Sequence, residues 1–301
     1  MEQFQSINTI LKDHLLSNIF PKLFPKFNKM LAPYSAYMVV IGGVSVEMCA
    51  KLDKVAMTFL QNIFTDDVDI KIVIEDDKVN LNDIHELRLL FIRKIIQELE
   101  IFVAKHYLGI DVFVDTSLLD HKVEAVRNAR VVSIAIANSE KSASLVDTTF
   151  YSKQSTPHYH VFKSIMHSKH HVPFYLVNRV AYATCEYMMF DTCRMLVDRA
   201  NYLKETRSIF ALMKFTKYVV KFMSLYVLRK KIKALPSNLS VIYDEAYATL
   251  QKLNMIKLRN NFNRKKSVKY DSAVVEKHIK VLDSILKASN MRRLVKAASH
   301  I

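Results

Sequence analysis

Glycine is nearly absent from this chain, which limits where its backbone can turn sharply. Only three of the 301 residues are glycine, where about 7% is usual. Two of the three are adjacent, Gly42-Gly43, and close the apolar run Tyr37-Met38-Val39-Val40-Ile41. A short apolar run ended by turn residues reads as a buried strand. Val44 to about Phe64 then reads as a helix. A chain that has shed glycine elsewhere keeps a pair where the backbone must take positive φ or come close to something. Between a strand and a helix that closeness suits a phosphate, because the first helical N–H groups are free to donate. Ser45 adds a hydroxyl in the first turn.

The next strand carries acid. Asp67-Val68-Asp69-Ile70-Lys71-Ile72-Val73-Ile74 alternates with period 2, so Asp67 and Asp69 leave the same face. Two carboxylates side by side in a dry site repel each other, and a divalent cation between them removes that cost. Mg²⁺ or Mn²⁺ favours such oxygen ligands. A third carboxylate on a neighbouring strand would complete a two-metal site. Ile110-Asp111-Val112-Phe113-Val114-Asp115 alternates as well, and offers Asp111 and Asp115, which share a face. Taken singly, a Gly-Gly pair is most often a plain turn and an Asp-x-Asp pair a solvated strand face. The weight lies in their order: strand, Gly-Gly, helix, Asp-x-Asp strand, long helix, Asp strand.

The remaining texture divides the chain. Residues 1–34 read as a helical segment interrupted by Pro21 and Pro25. A strand-and-helix region follows over 35–155, with a long amphipathic helix from about Asn82 to His106, a break at Gly109 and a further strand over Ala129–Ala137. From about 150 the strand pattern fades. Pro173 suits the first turn of a helix, and helical periodicity continues to the end. The expected class is α+β, with a helical domain over 156–301 and the boundary within Ser152–His171.

Lys and Arg number 44 against 29 Asp and Glu, leaving +15, a balance that draws a protein toward polyanions. Lys214, Lys217 and Lys221 fall at helical spacing. Lys230 extends the track, and Arg264, Lys265 and Lys266 form a later cluster with Phe262 and Tyr270 interleaved. A solvated helix face is the ordinary reading of any one of these. Together they suit phosphate contacts with RNA. The apolar stretch Phe210–Leu228 is interrupted by three lysines, so no membrane span is expected. The N-terminus has no secretory pattern. Cys49, Cys185 and Cys193 lack zinc-type spacing and read as reduced, buried thiols of an intracellular protein. Five histidines lie between His158 and His171 without an accompanying ligand pattern, and a loop that gains charge at mildly acidic pH is the plainer reading.

Ile41-Gly42-Gly43-Val44-Ser45, then Asp67-Val68-Asp69, then a later strand Asp resembles the polymerase-β-type nucleotidyltransferase pattern. The 24 positions from Gly43 to Asp67 are similar to the spacing in poly(A) polymerase catalytic subunits of large DNA viruses. Motif support covers about residues 35–120. The resemblance implies a nucleotidyltransferase-type mixed sheet followed by an all-helical domain. It implies that Gly42, Gly43 and Ser45 contact the nucleotide's phosphates, that Asp67 and Asp69 bind the metals, and that the third Asp activates a 3′-hydroxyl. The implied reaction is template-independent transfer of AMP from ATP to RNA 3′ ends, in a cytoplasmic, viral setting and with room for a processivity subunit. Two other readings share these residues: an inactive RNA-binding or assembly subunit, and a nucleotidyltransferase acting on a protein or small molecule.

Overall fold

In a computed structural model of the chain, residues 2–52, 67–76, 78–107, 109–115, 131–139, 141–152, 174–229, 237–252, 258–260, 262 and 272–287 are described. They form two compact units. The first takes in Met1–Leu52 and Phe64–Thr184, and the described residues of the second begin at Cys185. Among the described residues there are seven strands and eight α-helices, an α+β arrangement.

The first unit is a single mixed sheet backed by helices. Its strands are β1 (Ala36–Ile41), β2 (Val68–Ile74), β3 (Asp111–Asp115), β4 (Val131–Ala137), β5 (Ser142–Tyr151), β6 (Phe174–Val177) and β7 (Val180–Ala183). They lie in the order β3-β4-β5-β2-β1-β7-β6. β2 pairs antiparallel with β1 and parallel with β5, and β1 pairs parallel with β7. Apolar residues at alternate positions, Met38 and Val40 on β1 and Ile70, Ile72 and Ile74 on β2, supply the main core. Because side chains alternate, this leaves Asp67, Asp69 and Lys71 for the other face.

Helices α1 (Glu2–His14) and α2 (Phe20–Leu31) are joined by a π-helical turn over Leu15–Ile19. The chain stays helical through both prolines, with Pro21 in the first turn of α2 and Pro25 inside it. Phe20, Phe24, Phe27 and Leu31 recur at helical spacing and are fully buried. Phe27 meets Phe91 edge-on, with ring centroids 5.1 Å apart. Phe91 belongs to α4 (Leu81–His106), which Asn80 caps by accepting from the Asn82 N–H at 3.0 Å. Asn28 of α2 holds β1 by accepting from the Met38 N–H at 2.7 Å. Helix α3 (Gly42–Leu52) follows β1 directly, and its Cys49 thiol reaches the Ala183 carbonyl of β7 at 3.5 Å.

Strand character does not end near 150. Residues 174–183 form a hairpin whose turn residues Asn178 and Arg179 both have positive φ, the backbone that a two-residue hairpin turn requires. Pairing of β7 with β1 ties the hairpin to the first sheet, so the compact units divide at Thr184/Cys185 instead of within 152–171. The helical reading after Pro173 failed because Phe174-Tyr175-Leu176-Val177 and Val180-Ala181-Tyr182-Ala183 are each too short to show a period.

The second unit contains α5 (Cys185–Thr206), α6 (Ile209–Arg229), α7 (Ser237–Gln251) and α8 (Ser272–Lys287). α5 packs on α6 and α7, and α8 packs on α6. The core side of α6 is Ala211, Leu212, Phe215, Val219, Phe222 and Leu225, all buried. All three cysteines are buried thiols. No described helix is long and apolar enough to cross a membrane.

Candidate metal centre

β1 ends at the glycine pair, and the register puts Ile41 opposite Asp69. Gly42 has φ +72°, a conformation that L side chains rarely take. A Cβ on Gly42 would overlap Asp69 Oδ2 and lie 3.0 Å from Asp69 Cγ. The first glycine therefore makes room for a carboxylate of the next strand. Gly43 is buried in the first turn of α3.

On β2, Asp67 and Asp69 are half-buried and share a face. The parallel pairing with β5 sets Asp147 opposite Asp69. One carboxylate oxygen from each of Asp67, Asp69 and Asp147 falls within 4.8 Å of the others. Ser144 steadies the third group by donating its hydroxyl to Asp147 Oδ1 at 2.6 Å. At that separation each carboxylate pair repels by about 3 kcal/mol for an effective dielectric near 20, before solvent screening. A divalent cation relieves this. The donors are all oxygen, with no thiolate or imidazole in the set, which suits a hard divalent cation over softer ions.

Among the described residues the carboxylate that joins Asp67 and Asp69 is Asp147, while Asp111 lies elsewhere and the side chain of Asp115 falls outside the described residues. β3 is separated from β2 by β4 and β5. Asp111 is exposed and sits opposite Ala137, in register with Ser142 at the start of β5. Five residues of strand, roughly 16 Å, lie between Ser142 and Asp147. Asp115 is in the right row, opposite Ser133, which is opposite Asp147. Its backbone is two strands away from Asp147, roughly 9.6 Å. Asp147 had a signal of its own. It is the one acid in Ser144-Leu145-Val146-Asp147-Thr148-Thr149-Phe150-Tyr151, a run rich in β-branched and aromatic residues after an Asn138–Lys141 turn.

Ser45 is completely buried, and its hydroxyl donates to the Val40 carbonyl at 2.5 Å. It fastens α3 back onto β1 and is not exposed to a nucleotide. Lys71, two residues beyond Asp69 on the same face, is also buried, with its ammonium 4.4 Å from the ring centroid of Tyr151. Tyr151 lies opposite Val73.

The basic residues separate. Lys214 and Lys217 of α6 are partly exposed. Lys221 is buried and unavailable to a phosphate, with its ammonium 5.4 Å from the Tyr218 ring centroid. Phe262 is also buried, a core residue and not a stacking surface. Lys230, Arg264, Lys265, Lys266, Tyr270 and the histidines from His158 to His171 lie outside the described residues.

Comparison of the chain with protein-family models, with curated proteins and with solved structures finds no match.

Proposed function

We propose that this chain is a template-independent nucleotidyltransferase that transfers AMP from ATP to RNA 3′ ends. The observation that carries the reading is the meeting of Asp67, Asp69 and Asp147 beside the Gly42 turn. Three oxygen donors on adjacent strands, beside a strand-to-helix turn, suit phosphoryl chemistry. A bound Mg²⁺ or Mn²⁺ supplies Lewis acidity toward the attacking hydroxyl and neutralises the departing pyrophosphate. Asp67 and Asp69 hold that charge from one strand. Asp147 keeps Oδ1 oriented through Ser144 and turns its other oxygen to the proton of the 3′-hydroxyl. The hydroxyl oxygen then bonds to the α-phosphorus of ATP, the bond to the bridging oxygen breaks, and pyrophosphate leaves with that electron pair.

Primer extension with Mn²⁺ and each of the four nucleoside triphosphates in turn tests this. Extension by the wild type is expected, greatest with ATP, with a loss of at least a hundredfold in Asp67→Asn and in Asp147→Asn. A wild type that extends no primer with any nucleotide overturns it. Label appearing on protein, with none on RNA, would assign the same carboxylates to modification of a protein.

A further inference from the structure

We propose that the α5–α6 corner of the second unit, centred on Phe210, is a stacking platform for an unpaired nucleotide strand. This inference goes deeper into the nucleotidyltransferase reading by naming where the strand is held, and it rests on surface features separate from the carboxylates.

The corner is firmly set. Arg207 adopts a left-handed conformation, φ 49°, and its N–H closes α5 on the Leu203 carbonyl at 3.0 Å. Ser208 then caps α6 by accepting from the Ala211 N–H at 3.1 Å. A non-glycine residue held at positive φ costs about 1 kcal/mol, so the turn is defined by its caps and not by chance.

What this turn displays is unusual for a solvated helix end. Phe210 is 57% exposed and Met213, one turn along the same face, is 43% exposed. Tyr202, one turn before the corner on α5, is 38% exposed. The opposite side of α6 is already fully used in packing, so Phe210 is not a core residue displaced outward. Lys214 holds its ammonium 5.4 Å from the Phe210 ring centroid, a cation over one part of a ring that is otherwise open. From residue 201 to 217 there are four cations, Lys204, Arg207, Lys214 and Lys217, against a single acid, Glu205.

Exposed aromatic rings interleaved with cations are what an unpaired strand requires. A base stacks on the ring, and the adjacent phosphates meet the cations. A duplex does not use such a ring, because its bases are already stacked. The same charge balance disfavours another copy of this basic chain as the occupant.

The test is fluorescence anisotropy of labelled oligoadenylate, of a DNA strand of equal length and of an RNA duplex. Full-length protein is used in EDTA without nucleotide, so that catalysis is not involved. Phe210→Ala is expected to weaken both single strands about tenfold while leaving the duplex unchanged, and Phe210→Trp to restore binding. Arg207→Ala with Lys214→Ala is expected to lower the salt dependence by about 1.4 in log–log slope. Circular dichroism checks that each variant is folded. The proposal is overturned if Phe210→Ala binds single strands as the wild type does, or loses the duplex equally. It is also overturned if Phe210→Ala changes the oligomeric state, which would make the patch a contact between copies. Failure of primer extension with these effects intact would remove the enzymatic reading and leave this one standing.

Discussion

At Gly42 the backbone takes φ +72°, and the missing side chain leaves the room that Asp69 fills. Gly109 also has positive φ, +85°, but nothing lies within 4 Å of where its Cβ would be. The two glycines therefore respond differently to alanine. Gly109→Ala is expected to cost only the left-handed penalty, about 1 kcal/mol, and to leave metal binding alone. Gly42→Ala adds a clash with Asp69, so it is expected to lose stability by more than that and to displace the carboxylate. Urea unfolding of both variants, with Mn²⁺ titration of the folded proteins, checks the contrast. The sequence disclosed Asp67 and Asp69 because their relation is local, two residues apart on one strand. It disclosed Gly42 as special but not why, since the reason is a side chain 27 positions later. Ser45 misled because a hydroxyl in a first helical turn can serve a ligand or its own backbone, and here it serves Val40.

Helix α4 meets the back of the sheet through an unusual buried charge. Among the described residues Arg88 is one of the largest fully buried side chains, with its guanidinium carbon 4.0 Å from the Phe150 ring centroid and Nη2 2.7 Å from His85 Nδ1. Burial lowers the Arg88 pKa to about 10, which corresponds to about 3 kcal/mol of destabilisation of the charged form at neutral pH. Its folded pKa lies below the unfolded one, so that cost is relieved only above pH 10 and neutral conditions carry it in full. Arg88→Met keeps the apolar stem and removes the charge, and is expected to fall within about 1 kcal/mol of wild type. Arg88→Ala leaves a cavity and is expected to cost about 2–5 kcal/mol. Denaturant midpoints separate the two. On α1, His14 stacks on Phe102 at 3.8 Å, and burial, then Lys22, lowers its pKa. On α8, burial and then Lys277 lower that of His278. Both fold with fewer protons than they carry unfolded, so their contribution is full above about pH 6.5 and is lost as pH falls below it. Stability is expected to drop as pH falls below about 6.5, and His14→Gln with His278→Gln to flatten that slope, read from urea midpoints across pH. Long elements such as α4 were legible from period alone. The β6–β7 hairpin was not, because four-residue strands show no period and only their pairing with β1 identifies them.

The first unit assembles its centre from strands far apart in sequence. Asp69 and Asp147 are 78 positions apart, and become neighbours only because β5 pairs parallel with β2. No spacing rule reaches that far. Strand order places β3, the nearer candidate in sequence, at the edge of the sheet. The α+β class and the Asp-x-Asp strand were therefore readable from local pattern, whereas the third carboxylate of the cluster depended on topology. The helical second unit, with its exposed Phe210 corner, adds cationic and aromatic surface to a chain of net charge +15, a combination suited to a polyanionic strand. All of this turns on whether Asp67, Asp69 and Asp147 hold a divalent cation. Electron paramagnetic resonance of Mn²⁺ titrated into wild type, Asp147→Asn and Asp111→Asn protein decides it. The expected result is stoichiometric binding by wild type and Asp111→Asn, with loss in Asp147→Asn. No bound Mn²⁺ in the wild type, or loss in Asp111→Asn with retention in Asp147→Asn, would show that this is not the metal centre.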